Sequence, residues 1–144
     1  MIKNDRQFRI TKAQAEKFER AVKEAAASPH KGVPALLQKA QIDALKSQLR
    51  DLRKEIGEYE ELRSGKRKIV ALKSLDDLPR LLIQARIASG LTQEELATRM
   101  GLKPQQIQRY EATDYHTASI DRMIAILRAL GARLHQPLEL RLAS

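Results

Sequence analysis

Two helical patterns of apolar positions occupy the first half of the chain. Phe8, Thr11, Ala15, Phe18, Val22 and Ala25 recur at alternating spacings of three and four, which places them on one face of a helix. Thr11 reads as the N-cap of that helix, and Ala27 lies near its end. The cluster Ser28-Pro29-His30-Lys31-Gly32-Val33-Pro34 then breaks the pattern. A longer helix is predicted from Pro34 or Ala35 to Arg63, with proline tolerated because a first turn needs no donor. In it Ile42, Leu49 and Ile56 share one heptad position, and Leu45, Leu52 and Tyr59 share the other. Gly57 interrupts this stripe at a cost of up to about 1 kcal/mol against alanine, which the stripe outweighs unless the helix bends there. The long helix either folds back on the first as an antiparallel hairpin or pairs with its own copy in parallel. The parallel arrangement brings Glu55 near Glu60 of the other copy, a like-charge contact. A hairpin whose remaining apolar surface meets a second protomer satisfies both stripes.

The second half is organised by caps and turns. Ser64-Gly65-Lys66-Arg67-Lys68 reads as a polar hinge. Ile69–Leu72 and the alternating Leu138-Glu139-Leu140-Arg141-Leu142 are each compatible with a short strand or with coil. Ser74 and Asp77 resemble a capping box, and Pro79 allows the first full turn to begin as late as Leu78. Leu81, Leu82, Ala85 and Ala88 would be the inner face of that helix, which ends at Ser89 and Gly90. Thr92 and Glu95 form a second capping box, opening a helix from Gln93 to Met100 with Leu96, Ala97 and Met100 inward. Gly101 turns the chain, since glycine enters left-handed backbone space without penalty. The next helix opens at Lys103-Pro104 and runs to about Glu111. Ile107 and Tyr110 face in, and Gln105, Gln106 and Arg109 project outward from a positive helix terminus suited to phosphate. Ser119 caps a last helix whose apolar face is read as Ile120, Met123, Ile124, Leu127 and Leu130, ending at Gly131.

Composition narrows the function. The chain has 144 residues, enough for one ordinary domain or a small domain with an extension. With aromatics at 3 %, leucine, isoleucine and alanine must fill the core, which favours packed helices. Lys and Arg number 27 against 18 Asp and Glu, and the resulting charge of +9 biases the protein toward polyanions. Cysteine is absent, so disulfides and thiolate metal sites are excluded. No apolar run nears the roughly 20 residues that span a bilayer, and the N-terminus lacks a secretory signal, giving a soluble, cytoplasmic reading with no membrane partner. His30, His116 and His135 are too dispersed for a metal site. Glu58, Glu60 and Glu61 read as solvated surface. Lys66, Arg67 and Lys68 are either a phosphate-binding tether or, more simply, a solvated linker. No nucleophile motif, glycine-rich phosphate loop or paired catalytic carboxylates are present, so neither enzymatic activity nor a cofactor is expected.

The run Thr92-Gln-Glu-Glu-Leu-Ala, then Gly101, then Ile107-x-Arg-x-Glu111, resembles the Xre/Cro/CI-type helix-turn-helix of phage repressors and bacterial regulators. The resemblance covers about Leu78 to Leu130. It implies a five-helix, lambda-repressor-like bundle whose third helix enters the major groove of double-stranded DNA. It also implies roles. Gln93 would contact phosphate and brace the recognition helix. Gln105 would read a base, with adenine suited to its amide, and Arg109 would read guanine. Gln106 would meet backbone or base, and Lys103 and Thr113 flank the same surface. Arg86 and Glu111 would form a structural salt bridge. Two departures stand out. Pro104 fills a position that often holds a polar contact residue, and the loop from Ala112 to Ala118 lacks the family's usual glycine. Thr113, Tyr115, His116 and Thr117 of that loop are its candidate phosphate contacts.

The sequence therefore predicts an all-α protein with at most two short strands. Residues 1–64 form an antiparallel helical hairpin for dimerisation or partner binding. Residues 65–73 are a basic linker, and residues 74–144 are the DNA-binding domain with a C-terminal extension. One such domain reads about half a site, so a homodimer acting as a transcriptional repressor is expected. The alternative is an antitoxin of the HigA kind, which shares the module, binds a toxin protein and represses its own operon.

Overall fold

A computed structural model describes residues 1–28, 32–66, 71–133 and 135. All regular structure among them is helical. Six α-helices follow in order: α1 (Asp5–Ala27), α2 (Ala35–Arg63), α3 (Leu78–Ala88), α4 (Gln93–Arg99), α5 (Pro104–Ala112) and α6 (Ile120–Ala129), with one 3-10 turn at Leu75–Asp77. The chain divides into two compact units, Met1–Lys68 and Ile69–Ser144. The predicted strand at 138–142 lies outside the described residues, as do Ile69 and Val70 of the other; Ala71 and Leu72 belong to no regular element. Four α-helices of the expected five-helix bundle fall among the described residues.

The N-terminal unit is an antiparallel hairpin. α1 begins six residues before the expected Thr11, at Asp5, because Asn4 caps it by accepting from the Gln7 N–H at 2.9 Å. Gln7 reaches back to accept from the Lys3 N–H, just ahead of the cap, at 2.9 Å, so one orphan donor of the first turn and the amide preceding the cap are both satisfied and the helix needs no later start. Thr11 is thus a half-buried interior position of α1. The start of α1 meets the end of α2: the Phe8 and Tyr59 rings stack at 5.1 Å, and both the Tyr59 hydroxyl and the Arg63 guanidinium donate to the Asp5 carboxylate at 2.8 Å. Farther along, Glu19 pairs with Arg53 at 3.2 Å. Lys23, hydrogen-bonded to Glu19 and charged, and then Arg53 hold its carboxyl below the usual range. Ile2, Ala15, Leu49, Tyr59 and Leu62 are buried in this unit. Leu62 extends the α2 stripe beyond its two heptad positions, because a straight helix drifts from a strict seven-residue repeat.

The second unit buries Leu82, Ile83, Ile87, Leu96, Ala97, Ile107, Tyr115, Ile126 and Leu130. Two faces are rotated from their sequence reading. α3 presents Leu82, Ile83, Arg86 and Ile87 to the interior, while Leu81, Ala85 and Ala88 lie at the margin. α6 buries Ile126, with its C-cap Leu130, leaving Ile120 68 % and Ile124 38 % exposed. Both helices are apolar over more than one face, so periodicity alone did not choose the buried one. The 3-10 turn carries the Ser74–Asp77 box, with the Asp77 carboxylate accepting from the Ser74 N–H at 3.1 Å.

Candidate nucleic-acid interface

Thr92 and Glu95 cap α4 reciprocally: the Thr92 hydroxyl accepts from the Glu95 N–H at 3.1 Å, and the Glu95 carboxylate accepts from the Thr92 N–H at 2.7 Å. The Thr92 backbone N–H, and then the Thr92 side chain, hold the Glu95 carboxyl below its ordinary 4.5. A depressed carboxyl stabilises the fold fully above its unfolded pKa, and that contribution disappears as the pH falls through the lower folded value. Thr92→Ala is expected to cost about 1 kcal/mol. Glu95→Gln removes the titrating group itself and should flatten the acid limb of the stability profile, which urea melts across the acid range would reveal.

α4 ends at Arg99, and Gly101 takes a φ of +65° to redirect the chain. The Leu102 N–H then donates to the Ala97 carbonyl at 2.9 Å, closing the end of α4. Leu96 and Ala97 are fully buried against α5, where Ile107 is also fully buried. Pro104 opens α5 at a position where no amide donor is needed.

A carboxylate behind α5 fixes its pose. Glu111 is 0 % exposed and receives two guanidinium bonds from Arg86, Nε at 2.6 Å and Nη2 at 2.7 Å. Arg86, 3 % exposed, also donates through Nη1 to the Leu91 carbonyl at 2.7 Å. The Gln93 amide donates to the same carboxylate at 2.7 Å. The pair between α3 and α5 is the one the resemblance implied, and Gln93 adds a tie from the first residue of α4. One Gln93 N–H is spent on this brace.

With Ile107 and Glu111 buried, Gln105, Gln106, Gln108 and Arg109 are exposed on α5. Gln105 and Arg109, four residues apart, stand side by side on the outer face. Gln108 shares that exposed face and was missed by the sequence reading; its i+3 offset from Gln105 was the available signal. Gln106 is partly engaged, since its carbonyl accepts from the Lys103 N–H at 3.0 Å, which leaves its NH2 group to donate. Lys103 is exposed at the N-cap of α5.

The loop after α5 corrects one expectation. Tyr115 is 1 % exposed and cannot reach a phosphate without leaving the core; its ring stacks on Tyr110 at 6.0 Å. Asp114 and Tyr115 take φ values of +47° and +59°, so these two residues supply the left-handed backbone that glycine usually supplies. The Tyr115 hydroxyl has no hydrogen-bond partner among the described residues, and burial, then the charge of Glu111, raises its pKa. The other loop candidates, Thr113, His116 and Thr117, are exposed. Thr113 Oγ1 lies 3.1 Å from the Arg109 carbonyl, so its proton caps the end of α5 and must turn away to meet a phosphate. Among the described residues, no helix is long and apolar enough to cross a membrane.

Residues 82–135 match a family model described as helix-turn-helix. No curated protein and no solved structure matches the chain. The α4–Gly101–α5 geometry and this match agree: residues 82–135 are a helix-turn-helix domain, the module of DNA-binding regulators.

Proposed function

We propose that this protein is a sequence-specific repressor of transcription that binds double-stranded DNA as a homodimer in the cytoplasm. The observation that carries the reading is the exposed row Gln105, Gln108 and Arg109 on a helix whose opposite face is locked by the buried Arg86–Glu111 pair. Long amide and guanidinium side chains can each make bidentate contacts to purine edges in the major groove. Gln93, Lys103 and Gln106 lie at the N-terminal ends of α4 and α5, where partial positive charge favours phosphate. Thr113 approaches the backbone from the far end of α5. The chain's charge of +9 adds a sequence-independent attraction.

One reading helix covers about half a site, so two copies are required for useful discrimination, on half-sites about one helical turn apart. The hairpin of residues 1–64 joins them. Selection of binding sites from a random duplex pool, with the purified chain at low and moderate salt, tests the reading. An inverted repeat should emerge. Retention of no duplex at low salt would refute it.

Lys103→Ala separates phosphate contact from base reading. It should weaken binding uniformly across sequences and lower the log K–log salt slope by about one. A changed base preference at unaltered slope would instead place Lys103 against a base.

A further inference from the structure

The hairpin leaves an apolar surface uncovered at the start of α2. On the first turns of α2, Leu36 is 82 % and Leu37 51 % exposed, and Ala40 and Ala44 are exposed beside them. Leu36, Ala40 and Ala44 are spaced by four, so they form a ridge. The ridge points away from the buried side of α2, which carries Leu49 and Tyr59 farther along. Lys39 and Asp43, both exposed, line one flank of it. No ion pair joins these two within the chain, and neither has another charged partner among the described residues.

We propose that this ridge is the dimer contact, and that its occupant is the same ridge of a second copy packed antiparallel. The inference rests on the homodimer reading above and names its surface. A two-fold axis perpendicular to α2 keeps the same flank of both helices on one side. With the crossing at Ala40, Leu36 packs against the partner's Ala44, and the small side chains at the crossing permit close helix approach. Lys39 then lies within about one turn of the partner's Asp43, and the two-fold repeats that pairing, giving two opposite-charge contacts. A parallel pairing places Lys39 opposite the other flank, which carries Gln41 and Gln48 and no charge to meet it. Charge complementarity therefore selects both the second copy and its orientation. The ridge from Leu36 to Ala44 is about two and a half helical turns long and buries less than the roughly 800 Å² per partner of a standard stable interface. The free dimer is therefore concentration-dependent, and a two-half-site duplex completes it.

Sedimentation of the full chain over a concentration series, beside binding to one-half-site and two-half-site duplexes, tests this. Circular dichroism confirms that each variant keeps its helices. The expected results are a reversible dimer for the unaltered chain and a monomer for Leu36→Glu combined with Leu37→Glu. That double variant should lose about a hundredfold in affinity for the two-half-site duplex, at the lower end of what linking two sites contributes, with half-site affinity unchanged. Lys39→Asp alone should shift the chain toward monomer, and Lys39→Asp with Asp43→Lys should restore the dimer. A dimer that survives both glutamates overturns the surface while leaving the homodimer reading intact. A chain that stays monomeric on and off DNA overturns both. Failure of the exchanged charges to restore association overturns the antiparallel pairing. Recovery of the chain in complex with a different protein seated on Leu36 assigns the ridge to that partner and overturns the proposal.

Discussion

Glu111→Ala is expected to cost the helix-turn-helix unit about 3–5 kcal/mol, the largest single effect anticipated for this protein. The substitution leaves the Arg86 guanidinium buried without its carboxylate, and it strands the Gln93 amide that shares the same oxygen. The harm lies in the orphaned charge more than in the lost attraction, because desolvation had already offset much of the Coulomb gain. A double variant, Arg86→Met with Glu111→Leu, removes both charges at similar volume and should recover most of the loss. Both units are helical, so a bulk helix signal would mix two transitions. Hydrogen exchange at the amides of α5 isolates the relevant one. If Glu111→Ala left those amides as protected as before, the carboxylate could not be the clamp described here.

Arg109→Ala should cost about 1–3 kcal/mol of binding and relax base preference at one position of each half-site. Arg109 stands on the exposed face of α5, next to Gln105 and clear of the buried pair, so folding should be unaffected. Removing one exposed cation changes the salt slope little if the side chain reads a base, whereas a phosphate contact would lower it as Lys103→Ala does. An unchanged consensus from site selection with Arg109→Ala would mean that α5 lies in the groove at a different rotation, with Gln108 in place of Arg109 at the base edges.

The helix-turn-helix was legible because its signals are local and chemically specific. Thr92 and Glu95 satisfy each other's backbone donors, Gly101 takes the left-handed turn, and Arg86 with Glu111 was legible through resemblance to a family in which such a pair is structural. The faces of α3 and α6 were less legible. Ile83, Ile87 and Ile126 are buried while Ile120 is exposed, and only packing against neighbouring helices distinguishes them. Asn4 is easily passed over as a cap because Thr11 is also a good capping residue, although Phe8 ahead of it already belongs to the helical pattern. Tyr115 is expected at the surface because the corresponding loop of the family that the chain resembles commonly approaches phosphate. The left-handed pair Asp114–Tyr115 turns its ring inward instead, a backbone choice that no residue type in the loop announces.

Three helices converge on one carboxyl group, so the exposed surface of α5 cannot tilt independently of α3 and α4. Its orientation is set when the chain folds, before any operator is met. Little ordering entropy then remains to be spent on docking, and calorimetry should find a heat-capacity change no larger than rigid burial of the contact area requires. Preferences for one operator over another would arise from the edges of the bases and from how readily each duplex bends, with the protein acting as an unyielding template.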